Sequence, residues 1–354
     1  MAAAPGSSGP TARVEPTPTG PRVTVLVVTW QGQELLPDCL DSLRRQSVPH
    51  RLLVVDNAST DGTAALLAAA YPEAEVLRLP TNTGFAGGVA AGLAEVSTEF
   101  VALLNNDAAA EPDWLARLLA AADERPDWAA VTSRLLLAAD GRINNAGGAL
   151  GPLGTGYDRG FGAPDGPPYD RPVEVAAFCG GAALLRTEVV ASVGGMPAEF
   201  FLYYEDTDLS LRLRRAGHGI GYCPDAVVRH RHSATTDQRS ALFAYYNQRN
   251  HLLTLVRNAP PELVARAVLR FLTVTAVDCA RVVARRLTGR APASDHHHRP
   301  TARLRVLAGV VAGLPAALHG RRANAGLPVS RRELVARWFG VDSRPLDRGQ
   351  PLGR

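Results

Sequence analysis

The hydrophobic pattern of the first half of the chain switches between two rhythms. Residues 23–30, VTVLVVTW, are a β-branched apolar run without alternation, as expected of a strand covered on both faces. Over 34–45, Leu35, Leu36, Cys39, Leu40 and Leu43 recur at helical spacing. RLLVVDN at 51–57 reads as a second buried strand, and Ser59 or Asp61 is placed to cap a helix running to about residue 70. A strand over 75–79, a helix over 86–96, a strand over 100–104 and a helix from Pro112 continue the rhythm. Strand alternating with helix predicts an α/β fold with a parallel sheet and helices on both faces.

Residues 140–172 break this pattern. They are dense in Gly and Pro and poor in apolar positions, which predicts a long loop or irregular hairpin over one edge. A strand over 173–178 and a buried segment over 181–186 resume the core. Residues 207–216 read as a helix, with Leu209, Leu213 and Ala216 on one face and Gly217 as its stop. From 241 onward, helices over 241–257 and 261–287 intersperse Arg among Leu, Val and Phe, and an apolar stretch over 304–318 precedes HGRR at 319–322. There is no internal repeat. No run of 18 apolar residues occurs, which argues against a spanning helix.

The 354 residues suffice for one large domain or two smaller ones. Lysine is absent, and the net charge of +4 hides an asymmetry: residues 251–354 carry 18 Arg against 6 acidic residues, and residues 1–250 carry 20 Arg against 28. A basic tail on an acidic body implies an anionic partner, either nucleic acid or an anionic membrane surface. The tail has no recognisable nucleic-acid-binding motif and little aromatic interleaving, which sets nucleic acid aside. Cys39, Cys179, Cys223 and Cys279 form no C-x-x-C pair and read as buried thiols in a reducing compartment. Residues 1–21 lack the apolar stretch of a signal peptide and predict a disordered leader.

Polar clusters stand where the predicted strands end: Thr29 after the first, Asp56-Asn57 after the second, Asn82 and Gly84 after the third, and Asn105-Asn106-Asp107 after the fourth. Ligands of open α/β sheets bind at the carboxyl ends of the strands. Any one cluster is explained by turn formation; their recurrence on successive strands points to a site. Asp107 suits a hard cation, Mg²⁺ or Mn²⁺, and Asn105 is a weaker neutral donor. A further ligand is needed, and VVRHRHS at 227–233 offers His230 and His232. DHHHR at 295–299 reads as an exposed loop, because adjacent residues do not easily converge on one ion.

FFLYYEDTDLSLRLRRAGH at 200–218 places Glu205, Asp206 and Asp208 directly after an aromatic run. Two readings stay open here. Asp206 or Thr207 caps the helix while Glu205 and Asp208 meet its dipole, or one partly desolvated carboxylate serves as a general base.

VVTW, VVDNASTDGT, NTGFAGG, LLNNDA, FCGGAALLRTEVVASVGGM, FFLYYEDTDLSLRLRRAGH and VVRHRHS, in this order over about 22–260, resemble the inverting family 2 glycosyltransferases, specifically the rhamnosyltransferase-like branch of bacterial cell-wall polysaccharide assembly. The resemblance implies a GT-A fold over 22–258, Rossmann-like with a mixed, mainly parallel sheet, followed by a basic helical extension over 259–354. It implies that Asp56 binds the pyrimidine base with Thr29 and Asp61 nearby, and that Asn57, Asn82, Gly84 and Asn106 complete the nucleotide-sugar site. It places Asn105 and Asp107 at the family's D-x-D positions, with His230, or alternatively His232, helping hold the divalent cation. Asp206 matches the catalytic base, Tyr204, Glu205 and Arg249 fall on the acceptor side, and Arg249-Asn250 matches a recurring pair without a derivable role. Gln31 and Ala90 stand where Asn is common, and neither removes a predicted catalytic group. The implied donor is dTDP-rhamnose, with UDP-sugars open. The implied acceptor is a glycan or a polyprenyl-diphosphate-linked glycan, met by a cytoplasmic enzyme peripheral to the inner membrane face, with the Arg-rich helices lying in the interface or packed on the catalytic domain. The rivals are a nucleotidyltransferase, which would release pyrophosphate, and a sugar-binding homologue without turnover, against which the joint presence of Asp56, Asp107 and Asp206 argues.

Overall fold

The computed structural model describes residues 20–231, 240–288 and 300–346. The predicted leader, His232 and the tract 295–299 fall outside these residues, except for Gly20 and Pro21. Strands β1 (Val23–Thr29), β2 (Arg51–Asp56), β3 (Glu75–Arg78) and β4 (Phe100–Leu104) alternate with helices α1 (Leu36–Arg44), α2 (Thr63–Ala70) and α3 (Gly84–Ala94). The strands are parallel in the order β4-β1-β2-β3. Val23, Val25, Val27 and Val54 pack with Leu36, Leu40 and Leu43 of α1 on one face. Leu26, Leu53 and Val55 pack with Ala86 and Val89 of α3 on the other. Both faces are covered, so these strands have no polar side to alternate with.

Beyond β4 the sheet becomes mixed. β5 (Ala108–Ala110) and α4 (Trp114–Glu124) lead into β6 (Trp128–Leu137). β6 is a buried ten-residue strand that the hydrophobic pattern does not announce, because its first half, WAAVTS, is mostly small or hydroxylated. β7 (Ile143–Asn145), the hairpin β8 (Gly148–Leu150)–β9 (Gly156–Asp158) and β10 (Val173–Glu174) follow, then β11 (Ala182–Arg186), α5 (Thr187–Ser192), α6 (Glu205–Arg215) and β12 (Gly219–His230). The order is β10-β12-β6-β11-β4-β1-β2-β3. β11 runs antiparallel between β4 and β6, so the sheet is mixed and mainly parallel, as the resemblance implies. The region 140–172 is the expected irregular hairpin. The strand expected over 173–178 is regular only to Glu174; the buried stretch after it keeps one bond from the Val175 amide to the Ile220 carbonyl and then bridges Ala177 to Gly148.

α7 (Ala241–Asn258), α8 (Pro261–Leu287), α9 (Pro300–Ala323) and α10 (Arg331–Trp338) complete the chain. This extension is joined to the sheet domain. Trp338 and Leu334 bury against Leu150, Ala176 and Leu211, the Arg214 guanidinium lies 3.9 Å from the centre of the Trp338 ring, and Val341 and Arg344 form bridges to Leu150 and Glu174. α9 is long and apolar enough to cross a membrane by length and composition, contrary to the expectation from apolar runs alone. Its Gly313 and Ala317 are buried, and Gly313 lies against Leu253 of α7, so one face is already occupied by protein.

Candidate functional site

A cavity of about 560 Å³ opens at the carboxyl ends of the central strands, within the size range of small-molecule sites. Thr29, Asn57, Asn82, Gly84, Asn105, Asn106, Asp107, Glu205, Asp206 and His230 line it, all of them singled out from the sequence. Register explains the convergence. Thr29 pairs with Asp56, and Asp56 with Arg78, so β1, β2 and β3 end at one level. The Asn106 amide donates to Thr29 Oγ1 at 3.0 Å and ties the end of β4 to that of β1. Asn57 accepts from the Thr83 amide at 2.8 Å and donates to the Gly84 carbonyl at 2.9 Å, so it fixes the entry to α3. Asn82 accepts from the Gly84 amide. Gly84 has φ +72°, and a Cβ there would lie 2.1 Å from the Phe201 carbonyl oxygen; only glycine lets α3 meet the aromatic segment.

Asp107 and His230 meet because β12 returns antiparallel to β5, pairing His230 with Ala108. The Arg231 amide donates to the Asp107 carbonyl, which holds the two residues in register. His230 Nε2 lies 2.9 Å from Asp107 Oδ1 and 3.3 Å from Asn105 Nδ2, and His230 Nδ1 lies 2.6 Å from Asn144 Oδ1. With its proton on Nδ1 toward Asn144, the ring turns the Nε2 lone pair to the Asp107 side. Two donor atoms 2.9 Å apart match neighbouring ligands around a small hard cation with bonds of about 2.0–2.1 Å. Among the described residues no group of three His, Cys, Asp or Glu side chains forms a cage. A cation held here would take its other ligands from phosphate and water, as Mg²⁺ commonly does.

The three carboxylates after the aromatic run have separate surroundings. α6 begins at Glu205, and the residue before it, Tyr204, is left-handed with no side-chain cap, so neither Asp206 nor Thr207 caps the helix. Asp206 Oδ2 accepts from the Gly180 amide at 3.0 Å and Oδ1 from the Thr207 amide at 2.6 Å. Burial raises the Asp206 carboxyl above the usual aspartate value, and those amides pull in the opposite direction. Glu205 is buried, its Oε2 has no hydrogen-bond partner, and burial together with the Asp206 charge pushes it well above the usual range. Asp208 points into the core, where it forms ion pairs with Arg212 and Arg257, both at 2.9 Å, and accepts from Asn258 at 2.7 Å.

Four expected residues lie off the cavity surface. Tyr204 is buried behind the wall; its hydroxyl accepts from the Gly156 amide at 2.9 Å, and burial pushes its pKa up to about 12. Arg249 turns away toward α9 and donates to the carbonyls of Gly309 and Glu199 and to Asn250 Oδ1. Asp61 braces the loop before α2, accepting from the amides of Gln33 and Thr63. Asp56 is fully buried beside Asn57; its Oδ1 accepts from the Ser59 amide, and Oδ2 faces Arg78 Nε at 3.7 Å.

The cavity also recruits Trp30, Asn144, Asn145 and Asp158, which sequence reasoning passed over. Asn144, Asn145 and Asp158 come from the irregular region, where only the structure shows that Asn145 donates to Asp158. Trp30 is 47% exposed at the end of β1; an aromatic residue adjoining Thr29 was the available signal.

The sequence pattern described as Glycosyl transferase family 2 matches residues 24–191. The N-acetylglucosaminyl-diphospho-decaprenol L-rhamnosyltransferase of Mycobacterium tuberculosis is 30% identical over 257 residues, covering 63% of this chain and 80% of the relative. The O-antigen chain rhamnosyltransferase RfbN of Salmonella typhimurium is 26% identical over 226 residues, covering 60% and 68%. Among solved structures, the mannosyltransferase PcManGT from Pyrobaculum calidifontis, in complex with GDP-Man and Mn²⁺, superposes with a TM-score of 0.51 at 20% identity, covering 85% of this chain and 90% of that one. S. aureus TarS 1–349 in complex with UDP-GlcNAc superposes with a TM-score of 0.50 at 17% identity, covering 89% and 90%. The mixed sheet is the GT-A architecture of these neighbours, and the chain belongs to glycosyltransferase family 2, in its rhamnosyltransferase-like branch.

Proposed function

We propose that this protein is an inverting transferase that moves a sugar from a nucleotide-diphosphate donor to a hydroxyl of a glycan, or of a polyprenyl-diphosphate-linked glycan, in bacterial cell-wall or polysaccharide assembly. One observation carries the reading: a single cavity holds the Asp107–His230 pair and, on another wall, the partly buried Asp206. Thr29, Asn57, Asn82, Gly84, Asn105 and Asn106 form the donor side, with Asp56 and Asp61 shaping the loop behind it. Asp107 and His230 would hold Mg²⁺ or Mn²⁺. When bound, that ion supplies positive charge to the diphosphate leaving group. Asp206 accepts the proton of the acceptor hydroxyl, whose oxygen attacks the anomeric carbon from the face opposite the diphosphate and inverts it. The Gly180 and Thr207 amides favour an ionised Asp206, whereas Glu205 Oε2 has no hydrogen-bond partner. dTDP-rhamnose leads among donors because two relatives carry rhamnosyltransferase names. A lipid-linked acceptor places the enzyme in the cytoplasm, at the cytoplasmic face of the membrane.

A thermal-shift panel of dTDP- and UDP-sugars with and without Mn²⁺ or Mg²⁺ tests this. A ligand present at 100 times its Kd stabilises the native state by about 2.7 kcal/mol. The expected result is a metal-dependent rise with one nucleotide sugar, followed by nucleoside diphosphate release when acceptor is added. Pyrophosphate release would indicate a nucleotidyltransferase, and no rise with any sugar would refute the donor site.

A further inference from the structure

The described residues expose thirteen large apolar side chains, and eight of them lie on α8 and α9. Leu269 is 65% exposed, Val283 56%, Leu287 82%, Leu304 57% and Val311 66%. Apolar exposure concentrated on two neighbouring helices differs from the scattered apolar side chains of an ordinary surface. Arg266, Arg270, Arg281 and Arg305 are exposed on the same helices. After Glu262, in the first turn of α8, the described parts of both helices contain one acidic residue, Asp278. It is buried and paired with Arg303 at 3.1 Å and with Arg281 at 3.4 Å. The exposed surface beyond that first turn is therefore apolar and cationic, without a carboxylate.

Its position follows from the packing. α9 runs parallel to α7: Gly309 lies against Tyr245, Gly313 against Leu253 and Gly320 against Arg257. Arg303 lies six residues before Gly309, about 9 Å back along the helix, level with the start of α7, where Ser240, Leu242 and Phe243 line the cavity. α8 runs the opposite way, with Asp278 at that same level through its pair with Arg303. Leu287 extends about 13 Å further. The apolar, cationic face thus reaches the level of the cavity rim along these helices. α9 lies along the body of the protein, and lifting it out as a span would strip Leu253 and Arg249 of their contacts with Gly313.

Resting on the reading of a lipid-linked acceptor, we propose that the exposed faces of α8 and α9 form one docking platform for an anionic phospholipid surface at the level of the cavity rim. Arginines close to such a surface and apolar side chains entering the headgroup boundary are the two contributions that amphipathic interfacial helices combine. Beyond the first turn of α8, where Glu262 stands, no exposed carboxylate on these helices repels the surface.

Vesicle flotation with the full chain tests this, using phosphatidylcholine alone and phosphatidylcholine mixed with phosphatidylglycerol. The protein is expected to float with the anionic vesicles, to be released by salt and to ignore phosphatidylcholine alone. A variant carrying Leu269→Glu, Leu304→Glu and Val311→Glu should bind at least about tenfold more weakly. Replacing Arg266, Arg270 and Arg305 by Gln should weaken binding by about fivefold per arginine. Both variants should keep the thermal shift given by nucleotide sugar, which shows that they are folded and separates this proposal from the transferase reading. Failure of the unaltered protein to bind anionic vesicles while that shift is intact would overturn the platform. So would a lipid-free dimer, seen by sedimentation and abolished by the Glu variant, because a second copy would then cover the face.

Discussion

Replacing Asn250 by Ala isolates the device that aims the base. Asn250 is fully buried on α7. Its Nδ2 donates to the carbonyls of Phe200, Leu202 and Tyr203, each at 2.8 Å, and its Oδ1 accepts from Arg249 at 2.6 Å. Two hydrogens serve three acceptors, so the bonds are shared. The segment they hold is strained: Phe201, Tyr203 and Tyr204 have φ of 64°, 67° and 69°. Left-handed backbone costs an L-residue about 1–2 kcal/mol, or about 3–6 kcal/mol for the three. Asn250→Ala removes the two hydrogens donated to this segment, worth about 1 kcal/mol each, and leaves the Leu202 and Tyr203 carbonyls without this partner at a further cost of about 1–3 kcal/mol, while the Phe200 carbonyl keeps the Leu202 amide. A loss of about 3–5 kcal/mol matches the strain, so the segment should relax, and Glu205 and Asp206 follow it directly. A displacement of about 1 Å at a reacting group costs about a hundredfold in rate. The expected outcome is kcat down by about that factor with donor KM little changed, together with faster amide exchange over 200–206 and unchanged exchange in β1 and β2. If kcat stays within about twofold and exchange over 200–206 is unaltered, the argument that Asn250 holds the strained segment is wrong.

Asp206→Asn should cut kcat by about a hundredfold or more without unfolding the protein. The acid limb of kcat/KM in the unaltered enzyme should lie above the ordinary aspartate value of about 3.9, because burial raises this carboxyl, and the limb should vanish in the variant. Glu205 is raised well above its unfolded value, so its stabilising contribution is complete below the unfolded pKa and is lost as pH rises through the folded one. Melting curves of Glu205→Gln and the unaltered protein should therefore coincide near pH 4 and separate in favour of Gln as pH increases; parallel curves would contradict this. Asn144→Ala frees the His230 ring and should weaken Mn²⁺ affinity by about 10–100-fold, read from the metal dependence of nucleotide-sugar thermal shifts.

The parallel core was legible because β1 and β2 are buried on both faces and carry unbroken β-branched runs. Their polar ends were legible too, since Thr29, Asn57, Asn105, Asn106 and Asp107 stand where those runs stop. What failed was the reading of residues whose direction depends on distant packing. Arg249 and Asn250 are adjacent, yet one faces α9 and the other the Phe200–Tyr203 carbonyls. Nothing local distinguishes them, because a step of about 100° around a helix acquires meaning only once both neighbours are in place. β6 is hidden for a different reason: its buried Trp128, Val131, Leu135 and Leu136 are separated by Ala, Thr, Ser and Arg134, which break the apolar run. Asn144, Asn145 and Asp158 lie in a Gly-rich stretch whose periodicity carries no information.

The three acids at 205–208 show how one turn of helix serves three purposes. Steps of about 100° per residue send Asp206 to the cavity, Glu205 into the wall and Asp208 back to Arg212 and Arg257. A capped helix beginning at Thr207 would not include Glu205 and Asp206 in its first turn. The left-handed Tyr204, whose ring is held through its hydroxyl by the Gly156 amide, starts the helix at Glu205 instead. The aromatic residues before the acids therefore do more than shape a pocket. They set the rotation of α6, and their strained backbone persists because Asn250 holds it from α7. The link from α7 to Asp206 runs through hydrogen-bonded backbone, so a change in α7 packing should reach the base without altering any residue of the cavity.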